Sequence, residues 1–171
     1  MDILFIGHSL IEFFDWQRRF PAHRTANLGV AGETVEGLLS RVDAIVRKHP
    51  SADFIFIMTG LNNIVMDDFN FSGSYAMVLS KLSAAYPSAR ILLNSVLPTM
   101  SEFIANSSIL DVNGSLKSLA KERDVGFLDI YRLFVDKEGR PLKDLFLDDG
   151  VHLSDKGYAV WSGALEDAIS R

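Results

Sequence analysis

The chain has 171 residues, of which 48% are apolar and 23% charged, with a net charge of −5 and an isoelectric point near 5.3. That composition excludes a disordered or fibrous chain, and a domain of this length buries roughly 70% of its unfolded surface without help from a cofactor. The acidic balance, with no cluster of Lys and Arg, argues against a nucleic-acid partner. The absence of Cys excludes disulfides and thiolate metal sites, and no apolar run reaches the ~20 residues of a transmembrane segment.

In chain order, Met1 to Gly7 carries neither a basic leader nor a signal-length apolar stretch, so the expected location is cytoplasmic. Ile3 to Ile6 reads as a strand, and Leu10 to Arg19 as the first helix. Thr25 to Leu28 is a second strand, ending at Gly29. Val35, Leu38, Leu39, Val42, Ile45 and Val46 recur at helical spacing, before a third strand over Phe54 to Met58. Tyr75, Val78, Leu79 and Leu82 mark the next helix, Ile91 to Val96 a fourth strand, and Ile109, Val112, Leu116 and Leu119 another helix. A fifth strand covers Val125 to Ile130. Ser154 then opens a last helix with Tyr158, Trp161, Leu165, Ala168 and Ile169 on one face.

These strands are too apolar to have a wet face, which suits a parallel sheet covered on both sides. The repeated β–α units predict a single α/β domain over residues 1–171, a three-layer α/β/α sandwich with a central, mostly parallel sheet of flavodoxin-like architecture. Ligands of such folds bind outside the carboxyl ends of the strands.

Several segments at that edge can carry chemistry. Ser9, in Gly7-His8-Ser9-Leu10, follows the first strand as either a nucleophile or a helix cap. Asp149-Gly150-Val151-His152 precedes the last helix, and its turn either sets the carboxylate on the imidazole or forms an Asx cap. If folding joins the two segments, Ser9 is a nucleophile, His152 its base and Asp149 the group that orients the base. Asn27-Leu28-Gly29-Val30-Ala31-Gly32 can offer the Gly29 N–H to an oxyanion, make a tight turn or cradle a phosphate, although it matches neither a Walker loop nor a dinucleotide fingerprint. Gly60-Leu61-Asn62-Asn63 can aim the Asn62 carboxamide at the same point or simply turn the chain.

Phe13, Phe14 and Trp16, with Met100, Phe103 and Ile104, are candidates for an acyl pocket, and the core competes for each of them. Phe13, Met100 and Phe103 are the expected substrate-pocket residues. His23 and His49 have no acidic partner in sequence and receive no role. Asp67, Asp68 and Asp148 lack a ligand-spaced His, so no metal site is expected.

Ser9, Gly29, Asn62 and His152 occur in that order, each at the end of a predicted element on one edge of the sheet. In this ordered set the chain resembles the SGNH hydrolases, the GDSL-type esterases and lipases. The similarity runs over nearly the whole chain, through Val112-Asn113, Phe127-Leu128-Asp129 and Leu153-Ser154 to Gly157-Tyr158. The resemblance implies a serine esterase or acylhydrolase working through an acyl-Ser9 intermediate. Ser9, His152 and Asp149 would be catalytic, and the N–H groups of Ser9 and Gly29 with the Asn62 side chain would form the oxyanion hole. No cofactor or metal is implied. The expected partner is a small-molecule ester, an acetylated sugar ahead of an acyl lipid. A lysophospholipase- or thioesterase-like lipid acylhydrolase and a catalytically silent binding member of the fold stand as alternatives. Two positions depart from the family pattern, which usually has Asp where His8 and Asn63 stand; His8 is either a packed or solvent-facing side chain or a substitute base.

Overall fold

A computed structural model describes residues 1–170. Strands β1 (Asp2–Gly7), β2 (Arg24–Gly29), β3 (Phe54–Met58), β4 (Arg90–Asn94) and β5 (Gly126–Leu128) form one parallel sheet in the order β2-β1-β3-β4-β5. The chain leaves β1 outward to β2 and returns across it to β3, so the direction of winding reverses between β1 and β3. At such a switch the loops diverge and open a crevice at the carboxyl edge. The fifth strand is shorter than Val125 to Ile130, because the Leu128 carbonyl accepts from both Ser95 N–H and Ile130 N–H and closes a turn there.

Side chains alternate across the sheet and divide the core in two. Leu4, Ile6, Ile55, Ile57 and Leu93 face helices α3 (Val35–Lys48), α5 (Ser72–Ala85) and α6 (Asn106–Glu122). Ile3, Phe5, Phe54 and Phe56 face α1 (Ser9–Glu12), α2 (Trp16–Arg19) and α7 (Asp155–Ile169). The second layer is aromatic: Phe5 stacks on Trp16 at 4.1 Å, and Trp161 meets Trp16 edge-on at 5.2 Å. The buried Trp161 indole donates to Asn94 Oδ1 at 3.2 Å, so its polar atom is satisfied. The small helix α4 (Leu61–Val65) follows β3 directly.

The helix expected over Leu10 to Arg19 is two short ones. Asn27, on the neighbouring strand β2, donates its side-chain amide to the carbonyls of Ile11, Glu12 and Phe14 at 2.9 to 3.0 Å. Those carbonyls would otherwise serve a continuing helix. Asp15 then caps the second piece, its Oδ1 accepting from Arg18 N–H at 2.9 Å. Among the described residues no helix is long and apolar enough to cross a membrane.

Candidate active site

At the end of β1 a Cβ on Gly7 would lie 2.0 Å from the Met58 carbonyl oxygen, so only glycine lets β1 and β3 stay paired up to the turn. His8 follows in extended conformation as the N-cap of α1, its Nδ1 accepting from Leu10 N–H at 3.4 Å. Ser9 is therefore the first residue of the helix, and its own N–H has no intrahelical acceptor.

Opposite, the chain before α7 folds back on itself. Leu147 N–H donates to the His152 carbonyl at 2.8 Å and Gly150 N–H to the Leu147 carbonyl at 2.9 Å. Asp149 Oδ1 accepts from the N–H groups of Val151 and His152, both at 2.9 Å, and its Oδ2 lies 2.7 Å from His152 Nδ1. His152 Nε2 is 3.1 Å from Ser9 Oγ. Folding thus joins the three side chains in one hydrogen-bonded chain. Partial burial by itself raises the Asp149 carboxyl, but the Val151 N–H, the His152 ring and the His152 N–H outweigh it and hold the group below the usual carboxylate range. An ionised carboxylate only accepts, so His152 Nδ1 carries the proton and Nε2 is left to take one from Ser9.

The loop after β2 corrects the expectation at Gly29. Its N–H donates to Asn27 Oδ1 at 3.0 Å and is already engaged. The glycine is required there for space, because a Cβ would lie 2.2 Å from Glu12 N. The neighbouring donors are also taken: Val30 N–H by the Gly7 carbonyl at 2.9 Å, Ala31 N–H by Glu12 Oε2 at 2.6 Å, Glu33 N–H by the Val30 carbonyl at 3.1 Å. Among the described residues Gly32 N–H has no acceptor, and Gly32 holds a φ of +76° with open space where a Cβ would be. Arg41 stiffens this loop, donating to Glu33 Oε2 at 2.6 Å and to the Leu28 carbonyl at 2.8 Å.

Asn62 comes to the same loop. One hydrogen of its amide goes to the Glu33 carbonyl, next in sequence to Gly32, at 2.9 Å, which leaves the other unspent. Asn63 turns inward instead: Oδ1 accepts from Val35 N–H at 2.9 Å, while its amide donates to Glu36 Oε2 at 2.8 Å and Asp68 Oδ2 at 3.0 Å. Where a carboxylate was expected by resemblance, a carboxamide caps α3 and bridges two acids.

His8 is buried, with Nε2 unpartnered, and Ser9 is bonded to His152; His8 is the packed side chain among the alternatives. Burial, then the charge of His152, push its pKa down to about 4. Phe13 is exposed and sets its ring 5.3 Å from the His152 imidazole. Met100, also exposed, lies against the Asp149–His152 turn, its N–H donating to the Gly150 carbonyl at 2.8 Å. Phe103 is 98% exposed and so forms no pocket wall as placed, a correction to its expected role. Trp16 and Ile104 are in the core. The clamps at Asn27, Arg41 and Glu12 have no signature in the sequence, since each acts on backbone atoms of residues distant along the chain.

Residues 13–160 match the model of the GDSL-like lipase/acylhydrolase family. The chain is 27% identical over 175 residues to platelet-activating factor acetylhydrolase IB subunit alpha2 of Homo sapiens, covering 98% of this chain and 76% of that protein. It superposes with a TM-score of 0.89 and 28% identity on a Streptococcus pneumonia structure given the provisional description of a platelet activating factor, covering 97% of this chain and 82% of that one. An acetyl xylan esterase, AlAXEase, shares the fold at a TM-score of 0.83 and 17% identity over 99% of this chain and 100% of that one. Because the family match takes in the Asn27–Gly32 loop, Asn62 and the Asp149–His152 turn along most of the chain, this protein belongs to the GDSL-like lipase/acylhydrolase family and is an enzyme of ester hydrolysis.

Proposed function

We propose that the protein is a serine esterase of short acyl esters, acetyl esters first among them. The observation that carries this reading is the unbroken run from Asp149 through His152 to Ser9, at 2.7 and 3.1 Å. His152 Nε2 takes the Ser9 Oγ proton as the oxygen attacks the ester carbonyl. The oxyanion is received by the free N–H groups of Ser9 and Gly32 and the second amide hydrogen of Asn62. His152 returns its proton to the leaving oxygen, the C–O bond breaks, and an alcohol departs from acyl-Ser9. Water, deprotonated by the same nitrogen, then attacks the acyl carbonyl, releasing the acid and restoring Ser9. Asp149 holds the imidazole in the required tautomer throughout.

The short-acyl preference is supported by the acetylhydrolase name of the 27%-identical relative. A fluorophosphonate probe tests the nucleophile: an adduct on the wild type that disappears in Ser9→Ala is expected, and no adduct on the wild type overturns the reading. A panel of p-nitrophenyl esters from acetyl to palmitoyl tests the acyl length. The expected kcat/KM is highest for acetyl or butyryl, and a maximum at long chains overturns the short-acyl assignment.

A further inference from the structure

Beside the site lies a cleft of about 680 Å³ that has His152 in its wall. Its apolar surface comes from Phe13, Phe14, Leu147 and Tyr158. Phe14 stacks flat on Tyr158 at 4.3 Å, and Tyr158 is itself anchored through its hydroxyl to the Leu10 carbonyl at 3.0 Å, so this aromatic floor is fixed. Phe13 and Leu147 are 59% and 52% exposed, two large apolar side chains with nothing packed over them. The charged rim is Asp144, Asp155 and Lys156. Lys156 is tied to Asp144 at 3.1 Å, which leaves one carboxylate in excess. The start of α7 also borders the cleft, and its positive end is already met by Ser154 Oγ, which accepts from Gly157 N–H at 3.2 Å, and by Asp155 in the first turn.

The position of His152 assigns the occupant. The proton leaves Nε2 for the departing oxygen, so the alcohol half of the ester lies against the imidazole, while the carbonyl oxygen turns toward Gly32 and Asn62 on the other loops. We propose that this cleft is the leaving-group subsite, and that it favours neutral or cationic alcohols with an apolar face over anionic ones. This rests on the esterase reading and adds to it the class of alcohol. An apolar or cationic group gains the aromatic surface, and a cation gains the excess carboxylate as well. An anion meets like charge with no basic side chain free to receive it.

The test uses three aryl acetates that share the acyl group and carry a methoxy, a trimethylammonium or a carboxylate substituent at the meta position. Each kcat/KM is divided by the rate of hydroxide-catalysed hydrolysis of the same ester, which removes intrinsic reactivity. The trimethylammonium ester is expected to exceed the carboxylate ester by about fivefold or more at low salt, with the ratio shrinking as salt is added. Asp144→Asn should lower that ratio roughly two- to threefold and Lys156→Ala should raise it by a similar factor, since the first removes the excess negative charge and the second adds to it. A normalised wild-type ratio near one, a preference for the carboxylate ester, or a ratio unmoved by both substitutions overturns the subsite while the Ser9 adduct still stands. Failure to form that adduct overturns the esterase reading and the subsite together.

Discussion

The turn at Asp149–His152 and the loop at Asn27–Gly32 sit at the same carboxyl edge, the first bonded to Ser9 through His152 and the second tied to the chain after Ser9 through Asn27 and Ala31, but they are built differently. The turn is bonded mainly within itself, with Met100, among the described residues, its one backbone partner from a distant segment. Its carboxylate bonds groups two and three residues ahead, at 2.9, 2.9 and 2.7 Å, so sequence spacing carries the geometry of the Asp149–His152 pair. The loop is held from within and from outside: Asn27 and Val30 engage the N–H groups of Gly29 and Glu33, distant Gly7 and Glu12 those of Val30 and Ala31, and Arg41 fixes the Leu28 carbonyl, so the free N–H at Gly32 is what remains after all of them. A catalytic turn of the first kind can be read from local residues; a donor loop of the second kind becomes legible only when every neighbouring N–H is accounted for.

The sharpest way to break this comparison is to cut the locally bonded half. Ser9→Ala and His152→Ala are each expected to lower kcat by roughly 10⁴- to 10⁶-fold with the unfolding transition preserved, because nucleophile and base act as a unit. Asp149→Ala should cost less, on the order of 10- to 100-fold less than either, since the imidazole keeps its ring nitrogen and loses only orientation and charge. Steady-state assays on an acetyl ester, with circular dichroism to check folding, decide it. Should His152→Ala keep most of its turnover, the base has been misassigned.

The donor half is tested by separating its chemistry from its scaffolding. In the proposed mechanism Asn62 gives one donor to the oxyanion, so Asn62→Ala is expected to lower kcat about 10²- to 10³-fold. Asn27→Ala instead strips the acceptor from Gly29 N–H and the donor from three carbonyls, so it should cost about 1–3 kcal/mol of stability with only a few-fold change in kcat. Urea unfolding and the same ester assay are run on both variants. If Asn27→Ala leaves stability untouched while abolishing turnover, Asn27 is no mere clamp and the engaged state of Gly29 must be reconsidered.

Much of the fold was legible because burial on both faces forces continuous apolar runs: Ile3 to Ile6 and Phe54 to Met58 are strands as expected, and Ser154 caps α7 as expected. The half-exposed strand β2 was readable from its place before Gly29 more than from its own residues, and it holds Asn27, the residue that splits the first helix. The same side chain occupies Gly29 N–H, so one unrecognised carboxamide accounts for both the misjudged helix and the misjudged glycine. Phe103 failed for a different reason: an aromatic near a site on a loop carries no signal of whether it turns inward or outward.

His8 stands between the two halves, next to Ser9, and its environment is invisible in both local patterns. Burial, followed by the nearby His152 charge, lowers its pKa from 6.5 to about 4. The unfolded chain therefore binds this proton first as pH falls, so the contribution of neutral His8 to stability is complete above about 6.5 and is lost progressively down to about 4. Between pH 7.5 and 5 the loss amounts to about 2 kcal/mol. His8→Asn keeps an acceptor for Leu10 N–H and removes the titrating group, so the variant should lose about 2 kcal/mol less than wild type over that interval. The carboxylates with lowered pKa, Asp149 among them, retain their contribution above the unfolded carboxylate range, which leaves the interval from pH 6.5 to 5 to the imidazoles. His49, also lowered by burial and then by the Lys48 charge, is common to both proteins and cancels in the difference. Equal losses in wild type and His8→Asn, measured by urea unfolding at the two pH values, would mean that His8 is protonated as readily folded as unfolded, and that the cap of α1 tolerates a charge beside the nucleophile.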